Sequence, residues 1–286
     1  MRHLLLLCFL LAATTVSAAE PFAAERAAWN QQMAPFRIID DVYYVGTADL
    51  AVYLIVTPRG DILLDGGLPE SADLVERNIA ALGFQVSDIK ILLNSHAHFD
   101  HAGGLAQIKR DSGATLYASR ADTPILEQGY IEFGPSQIVH FPPAVVDRGV
   151  SDGQQIELGE TVLTAHLTPG HTPGCTTWTM PVVEDNRHHN VVFYCSTTVA
   201  GNPLVGNAAQ PQIVSQYRGS FAKLKTLTAD VFLAPHASMF NPQKKLAARK
   251  PGAPNPFVDK KEFQAFVAAS ERDFETELAR QKAAAP

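Results

Sequence analysis

The chain has 286 residues, of which 46% are hydrophobic and 18% charged, with a formal net charge of −6 and three cysteines. That composition is too apolar for a disordered chain and too poor in cysteine for a disulfide scaffold, and it offers no basic footprint for nucleic acid or an anionic membrane. The length suits one large domain or two small ones.

Residues 1–18 read as a leader. Arg2 precedes an apolar run over residues 4–13, and Ser17-Ala18-Ala19 supplies the small residues that a signal peptidase needs. The run falls short of the ~20 residues that cross a bilayer. The mature chain is therefore expected to begin at residue 19, in a periplasm, with no membrane attachment once the leader is removed. Cys8 lies inside the run, which leaves Cys175 and Cys195. In an oxidising compartment such a pair tends to bridge, and a bridge would remove both as metal ligands. Bridge and ligand both stay open at this point.

Residues 42–45 and 52–56 read as strands, and 61–65, after the Pro58-Arg59-Gly60 turn, forms a hairpin with the second. Residues 71–82 read as a helix with Leu74, Val75, Ile79 and Leu82 on one face. Residues 89–93 form a continuous apolar run, as a buried central strand requires. A helix over 103–110, a strand over 115–118 and a helix over 120–127 follow. Strands are then expected over 155–158, 160–166, 176–180 and 191–194. A helix over 216–227 carries Tyr217, Phe221, Leu224 and Thr228 on its buried stripe, and a short strand spans 231–234. A long amphipathic helix over 261–281 turns Phe263, Phe266, Val267, Phe274 and Leu278 inward. The linker candidates, 142–152 and 252–259, are too short to argue for separate domains. Residues 19–286 thus read as one domain of two comparable halves, about 36–150 and 151–286. The economical layout is an α/β fold of αββα type, two mixed sheets flanked by helices.

One stretch dominates the chemistry: Asn94-Ser95-His96-Ala97-His98-Phe99-Asp100-His101, at the exit of the strand over 89–93. Residues 96, 98 and 100 alternate, so in an extended segment they project to one side. His101 falls where the chain turns into the next helix. Four donors within six residues suit a pair of metal ions, since one tetrahedral site cannot take all four from so short a loop and stay open to substrate. His171, in Pro169-Gly170-His171-Thr172-Pro173-Gly174, and His236, in Leu233-Ala234-Pro235-His236, stand in two other strand-exit loops. Loops at one end of a sheet converge, so all six groups can meet. His166 is placed inside a strand, and His188 and His189 in a polar turn.

This combination resembles the metallo-β-lactamase superfamily, and the resemblance covers nearly the whole mature chain, Asp61-Ile62-Leu63-Leu64-Asp65-Gly66-Gly67 included. Glyoxalase II, lactonases, sulfatases and RNase Z-type nucleases share that fold. In glyoxalase II, the lactonases and the nucleases, a Gly-Asp pair after the strand corresponding to 191–194 supplies an Asp that bridges the metals. Here the strand exits into Cys195-Ser196-Thr197-Thr198. The sequence is most similar to class B β-lactamases of the third subclass, with residues 190–206 and 252–257 sharing the likeness.

The resemblance implies two Zn2+ ions per chain, one held by His96, His98 and His171 and the other by Asp100, His101 and His236. It implies that Asp100 also orients an attacking hydroxide, that Asp65 orients a ligand histidine, and that Cys195 pairs with Cys175 in a disulfide. Ser196 and Thr198 are expected to hydrogen-bond a substrate carboxylate, and Asn202 to reach the carbonyl oxygen. The implied activity is hydrolysis of the amide bond of β-lactam antibiotics (penicillins, cephalosporins, carbapenems) by metal-activated hydroxide, and hence antibiotic resistance. The partner is that small molecule, with no nucleic acid, and the enzyme is expected to be a monomer. Two alternatives stand beside it. The absent bridging Asp argues against another di-zinc hydrolase, acting on a thioester, lactone or phosphodiester. The complete set of six donors argues against a non-catalytic zinc-binding protein. Loops 46–51 and 129–139 are expected to set the width of the pocket.

Overall fold

The structure, a computed structural model, describes residues 20–285. The leader assigned to residues 1–18 lies outside the described residues. No helix among those described is long and apolar enough to cross a membrane.

The chain opens with α1 (Ala23–Trp29) and then lays down β1 (Phe36–Ile39), β2 (Val42–Tyr44), β3 (Tyr53–Ile55) and β4 (Asp61–Leu64). These four pair as an antiparallel meander. Crossovers through α2 (Ala72–Ala81), through α3 (Phe99–Ala102) with α4 (Leu105–Ser112), and through α5 (Thr123–Gln128) then add β5 (Ile89–Leu93), β6 (Thr115–Ser119) and β7 (Arg148–Val150). The added strands are parallel, so the first sheet is mixed, with order β1-β2-β3-β4-β5-β6-β7. Parallel strands covered by helices must be apolar on both faces, and Ile91, Leu92 and Leu93 of β5 are all buried.

The second sheet is built from β8 (Gln155–Leu158), β9 (Thr161–Leu167), β10 (Thr176–Glu184) and β11 (Arg187–Phe193), all antiparallel, and β12 (Val231–Leu233), parallel to β11 across α6 (Ile213–Leu224). The chain ends with α7 (Pro242–Ala247) and α8 (Glu262–Ala284). The two sheets meet through their apolar faces: Tyr53 packs edge-on against Phe193 at 5.2 Å between ring centroids, and its hydroxyl donates to the Ala234 carbonyl at 2.6 Å. The αββα sandwich expected from the element order is the observed fold.

The differences from the sequence reading have local causes. The strand expected over 176–180 runs to Glu184 and pairs with a strand that begins at Arg187, so His188 and His189 are strand residues. Asp185 and Asn186 make that hairpin turn, with φ of 51° and 59°, a conformation that short polar side chains tolerate. β7 lies inside the stretch read as a linker, because its ladder to β6 fixes an otherwise irregular segment. α6 stops at Leu224, which leaves Thr228 exposed. α1 and α7 have no long apolar stripe to announce them, and α1 buries none of its own residues.

Asp61 opens β4 and is 3% exposed, and burial pushes its carboxyl up to about 6. A folded-state value above the ordinary ~3.9 means that the folded chain binds this proton more tightly than the unfolded chain does. The stabilisation is present below about pH 4 and is lost as pH rises through about 6. Asp61→Asn is therefore expected to be near neutral at pH 4 and to stabilise by about 1–2 kcal/mol above pH 7. Paired thermal melts at both pH values check this, and equal shifts at the two would contradict it.

Candidate metal centre

The six candidate donors come from three strand exits at one end of the sandwich. Asn94 to His98 leave β5 in extended form, with His98 at φ −84° and ψ 153°. The chain turns helical earlier than the alternation suggested, since α3 begins at Phe99 and the Ala102 amide already donates to the His98 carbonyl at 2.8 Å. Asp100 and His101 therefore project from a helical turn. His171 follows β9 through Pro169-Gly170, where Gly170 has φ +140° and a Cβ would lie 2.8 Å from the Tyr217 ring. Only glycine combines that backbone angle with that approach. His236 follows β12.

The donors fall into two groups. His98 Nδ1 and His171 Nε2 stand 3.0 Å apart, and the donor atoms of His96, His98 and His171 all lie within 4.8 Å of one another. Beside them, His101 Nε2 is 3.3 Å from His236 Nε2, and Asp100 Oδ2 is 3.4 Å from the first and 3.5 Å from the second. His96 bridges the groups, for its donor atom also lies within 4.8 Å of those of Asp100 and His101.

Hydrogen bonds on the far side of the rings fix which nitrogen faces inward. His171 Nδ1 lies 2.7 Å from the Thr198 carbonyl, which can only accept, so Nδ1 carries the proton and Nε2 keeps its lone pair. Ser95 Oγ donates to Asp65 Oδ2 at 2.6 Å and so accepts from His96 Nδ1 at 2.9 Å. His236 Nδ1 lies 3.0 Å from Asp49 Oδ2.

Burial pushes the His96 and His171 imidazoles well down and His98 down to about 4, which keeps them neutral. Burial opposes the Asp100 carboxylate, but the charge of His101 and hydrogen bonds from His101 and His236 outweigh it and hold the carboxyl well below its usual range. Burial also opposes a charged His236, but Asp100 and Asp49 outweigh it and raise the imidazole to about 9. His96 Nε2, 1% exposed at the residue level, has no hydrogen-bond partner among the described residues. A buried, unpaired nitrogen facing two further imidazoles and a carboxylate is costly without a cation. Neutral imidazoles with one carboxylate are the donor set that zinc prefers, so the residues present fit a metal ion.

The donors floor a cleft of about 280 Å³. Its walls are Phe22, Glu25 and Trp29 of the N-terminal segment, Phe99, Pro135-Ser136, and Ser196, Thr198 and Ala200. Of the two loops expected to set its width, 129–139 contributes Pro135 and Ser136. Loop 46–51 contributes no lining residue and packs behind His236 instead. Ser196 and Thr198 stand together on one wall, their hydroxyls 3.0 Å apart. Asn202 is not brought to the cleft. Its side chain is buried and donates to the His171 carbonyl at 3.2 Å, which holds the His171 loop. Asp65 turns its carboxylate to the Ser95 amide, the Ser95 hydroxyl and the Asn94 side chain, with His101 Nδ1 at 3.8 Å. It reaches His96 through Ser95. Cys175 and Cys195 form a disulfide, with Cα atoms 5.9 Å apart.

Three further contributors come from outside the sequence motifs. Asp122 is 1% exposed; its Oδ2 accepts from the Ala97 amide at 3.0 Å and Thr172 Oγ1 at 2.7 Å, and its Oδ1 from the Gly174 amide at 2.7 Å. It ties the loop of His96 and His98 to the loop of His171, and burial pushes its carboxyl up to about 6. Asp49 backs His236, and Trp29 packs edge-on against the same ring at 5.6 Å. No short-range pattern marks any of the three.

An αββα sandwich with two sets of His and Asp donors at the open end of its sheets defines a class of metal-dependent hydrolases. The chain belongs to the metallo-beta-lactamase superfamily, whose family profile matches residues 50–236. Among solved structures, a subclass B3 metallo-beta-lactamase of Bradyrhizobium japonicum is 46% identical, with a TM-score of 0.86 over 90% of this chain and 97% of that one. The native metallo-beta-lactamase of Legionella gormanii is 41% identical, with a TM-score of 0.85 over 88% and 98%. Similarity to curated relatives is local. A probable metallo-hydrolase of Burkholderia pseudomallei is 31% identical over 120 residues, 42% of this chain and 39% of that protein. A hydroxyacylglutathione hydrolase of Maricaulis maris is 32% identical over 111 residues, 39% of this chain and 36% of that protein. The chain thus spans well under half the length of these two curated relatives.

Proposed function

We propose that this protein is a zinc-dependent hydrolase of β-lactam antibiotics that uses two zinc ions, one held by His96, His98 and His171 and one by Asp100, His101 and His236. The observation that carries the reading is the pairing of two adjacent donor sets in one cleft with a strand exit, after β11, that offers no carboxylate and whose cysteine is tied up in a disulfide. Likeness to subclass B3 metallo-beta-lactamases along nearly the whole chain supports it.

Zinc bound at these residues supplies Lewis acidity towards a carbonyl oxygen and acidifies a water towards neutrality. The chain's own groups do the rest. Asp100, held ionised, presents an acceptor oxygen at the cleft floor and orients the water that attacks the lactam carbonyl. Ser196 and Thr198 present hydroxyls on one wall to the carboxylate that β-lactams carry beside the ring nitrogen. Phe22, Trp29 and Phe99 give the facing wall an apolar surface, which excludes water from the bound ring. No nucleophilic side chain is required, and among the described residues the cleft holds no serine paired with a general base in the manner of a covalent hydrolase. We further infer that residues 1–18 are a cleaved export signal and that residues 19–286 act as one periplasmic domain, as a monomer.

A second reading, a hydrolase of thioesters or lactones, draws on the local similarity to a hydroxyacylglutathione hydrolase. The missing carboxylate after β11 weighs against it. Zinc-loaded protein is expected to turn over a chromogenic cephalosporin and to lose that activity on chelation. Thioester or lactone turnover without cephalosporin turnover would favour the second reading. Stoichiometric zinc with no turnover of any amide or ester would leave a zinc-binding protein.

A further inference from the structure

Among the imidazole nitrogens that face away from the cleft, those of His171 and His96 rest on neutral oxygens, a backbone carbonyl and a serine hydroxyl. His236 differs, because its Nδ1 meets a carboxylate, Asp49 Oδ2, at 3.0 Å. We infer that Asp49 is the positioning residue of His236. By accepting the Nδ1 proton, it fixes the tautomer and ring angle that aim Nε2 at Asp100 and His101, and so sets the affinity of the second zinc. The inference rests on the two-zinc reading above.

The carboxylate is itself held from several sides. Its Oδ1 accepts from the Ser238 amide at 2.7 Å, so Oδ2 is left for the imidazole. The Asp49 carbonyl accepts from the Ala237 amide at 2.7 Å, Leu50 bridges to His236, and the Ala51 amide donates to the Pro235 carbonyl at 2.8 Å. Residues 49–51 therefore run as a short antiparallel splint along 235–237. The splint is anchored in turn to the N-terminal segment, since the Trp29 carbonyl accepts from the Asp49 amide at 3.2 Å and from Thr47 Oγ1 at 2.7 Å. The Trp29 ring closes the other side of His236. An imidazole so confined can rotate only by breaking its bond to Asp49. A carboxylate partner also makes the opposite nitrogen a better ligand than a carbonyl or hydroxyl partner does.

Asp49→Asn separates positioning from bulk. The amide keeps the volume and one acceptor, but it cannot accept from Ser238 and His236 at once, because one of its two ends is a donor. With that end towards the ring, His236 must carry its proton on Nε2 and withdraws as a donor to the metal. Zinc-loaded wild type and variant are titrated with a competing chelator. Two zincs are expected in the wild type. In the variant, one of the two sites is expected to lose about 10- to 100-fold in affinity, with the other unchanged. Two zincs of wild-type affinity in the variant would overturn the inference while leaving the two-zinc reading intact. Fewer than two in the wild type would overturn both. A second measurement does not depend on the variant folding. In 15N-labelled, zinc-loaded wild type, His236 is expected to show a slowly exchanging proton on Nδ1 and none on Nε2, and the reverse assignment would overturn the inference.

Discussion

Replacing His171 with Ala is expected to remove one zinc per chain and to cut cephalosporin turnover about a thousandfold, which corresponds to about 4 kcal/mol of transition-state stabilisation. His171 is the member of its set that comes from the far half of the chain, so its loss leaves His96 and His98, two neutral imidazoles from one loop. Two neutral donors neither complete a tetrahedral zinc site nor compensate the unpaired His96 Nε2. His236→Ala is expected to act on the other set, which keeps Asp100 and His101 and therefore retains a charge. It should also lose one zinc per chain, with a smaller fall in turnover. His166→Ala is the matched control. That ring sits in β9 with Nε2 2.8 Å from Thr179 Oγ1, and it lines no part of the cleft. Metal analysis of the three purified variants beside steady-state rates reads both effects. Retention of both zincs in His171→Ala, with a rate within tenfold of wild type, would refute its assignment as a ligand.

What the sequence disclosed and what it withheld divide along contact range. His96 to His101 sit on one loop, so their spacing alone brought four donors together. The buried run of β5 placed that loop at a sheet end, and the other strand exits followed from the same apolar patterning. Asp49 and His236 are 187 residues apart, and Asp122 reaches Ala97 and Gly174 across 25 and 52. A single Asp in a polar loop looks the same whether it caps a turn or backs a ligand, so no local rule separates the two. Asp65 shows the limit from the other side. Its placement between β4 and two glycines marks it in the sequence, yet its route to the site runs through Ser95, which carries no signature. The N-terminal wall was hidden for a different reason. α1 buries none of its own residues, and what fixes it is tertiary: Arg26 grips Glu70 with bonds of 2.8 and 2.7 Å, and Phe22 stacks on Phe99 at 5.5 Å. Helix periodicity reports a face turned to a core, and this segment turns its aromatic residues to a cleft.

Asp122→Ala is expected to destabilise the fold by about 3–5 kcal/mol, because it strands two buried backbone N–H groups and a threonine hydroxyl at once. For a chain of this size that is a fall of roughly 10 °C in Tm. The donors cannot turn to water, since Asp122 and Thr172 are at most 1% exposed. Nor can the loop close over the gap. Gly174 already presses on Asp122, and a Cβ there would lie 2.6 Å from the Asp122 amide nitrogen. Burial outweighs the three hydrogen bonds and lifts this carboxyl to about 6, so its value lies less in its charge than in the two loops it holds together. That distinction orders the variants. Asp122→Asn keeps the shape and at least one acceptor, and Thr172 can reverse its hydroxyl to accept, so its Tm should fall between wild type and Asp122→Ala. The metal follows the same order. His98 and His171 are brought within 3.0 Å by loops that Asp122 fastens, and loosening either loop spoils the shared site before the fold itself gives way. Zinc affinity in Asp122→Ala is thus expected to drop about 10- to 100-fold while far-UV circular dichroism at 25 °C stays native. A variant that melts within about 3 °C of wild type and binds zinc as tightly would show that the two loops hold their places without this carboxylate.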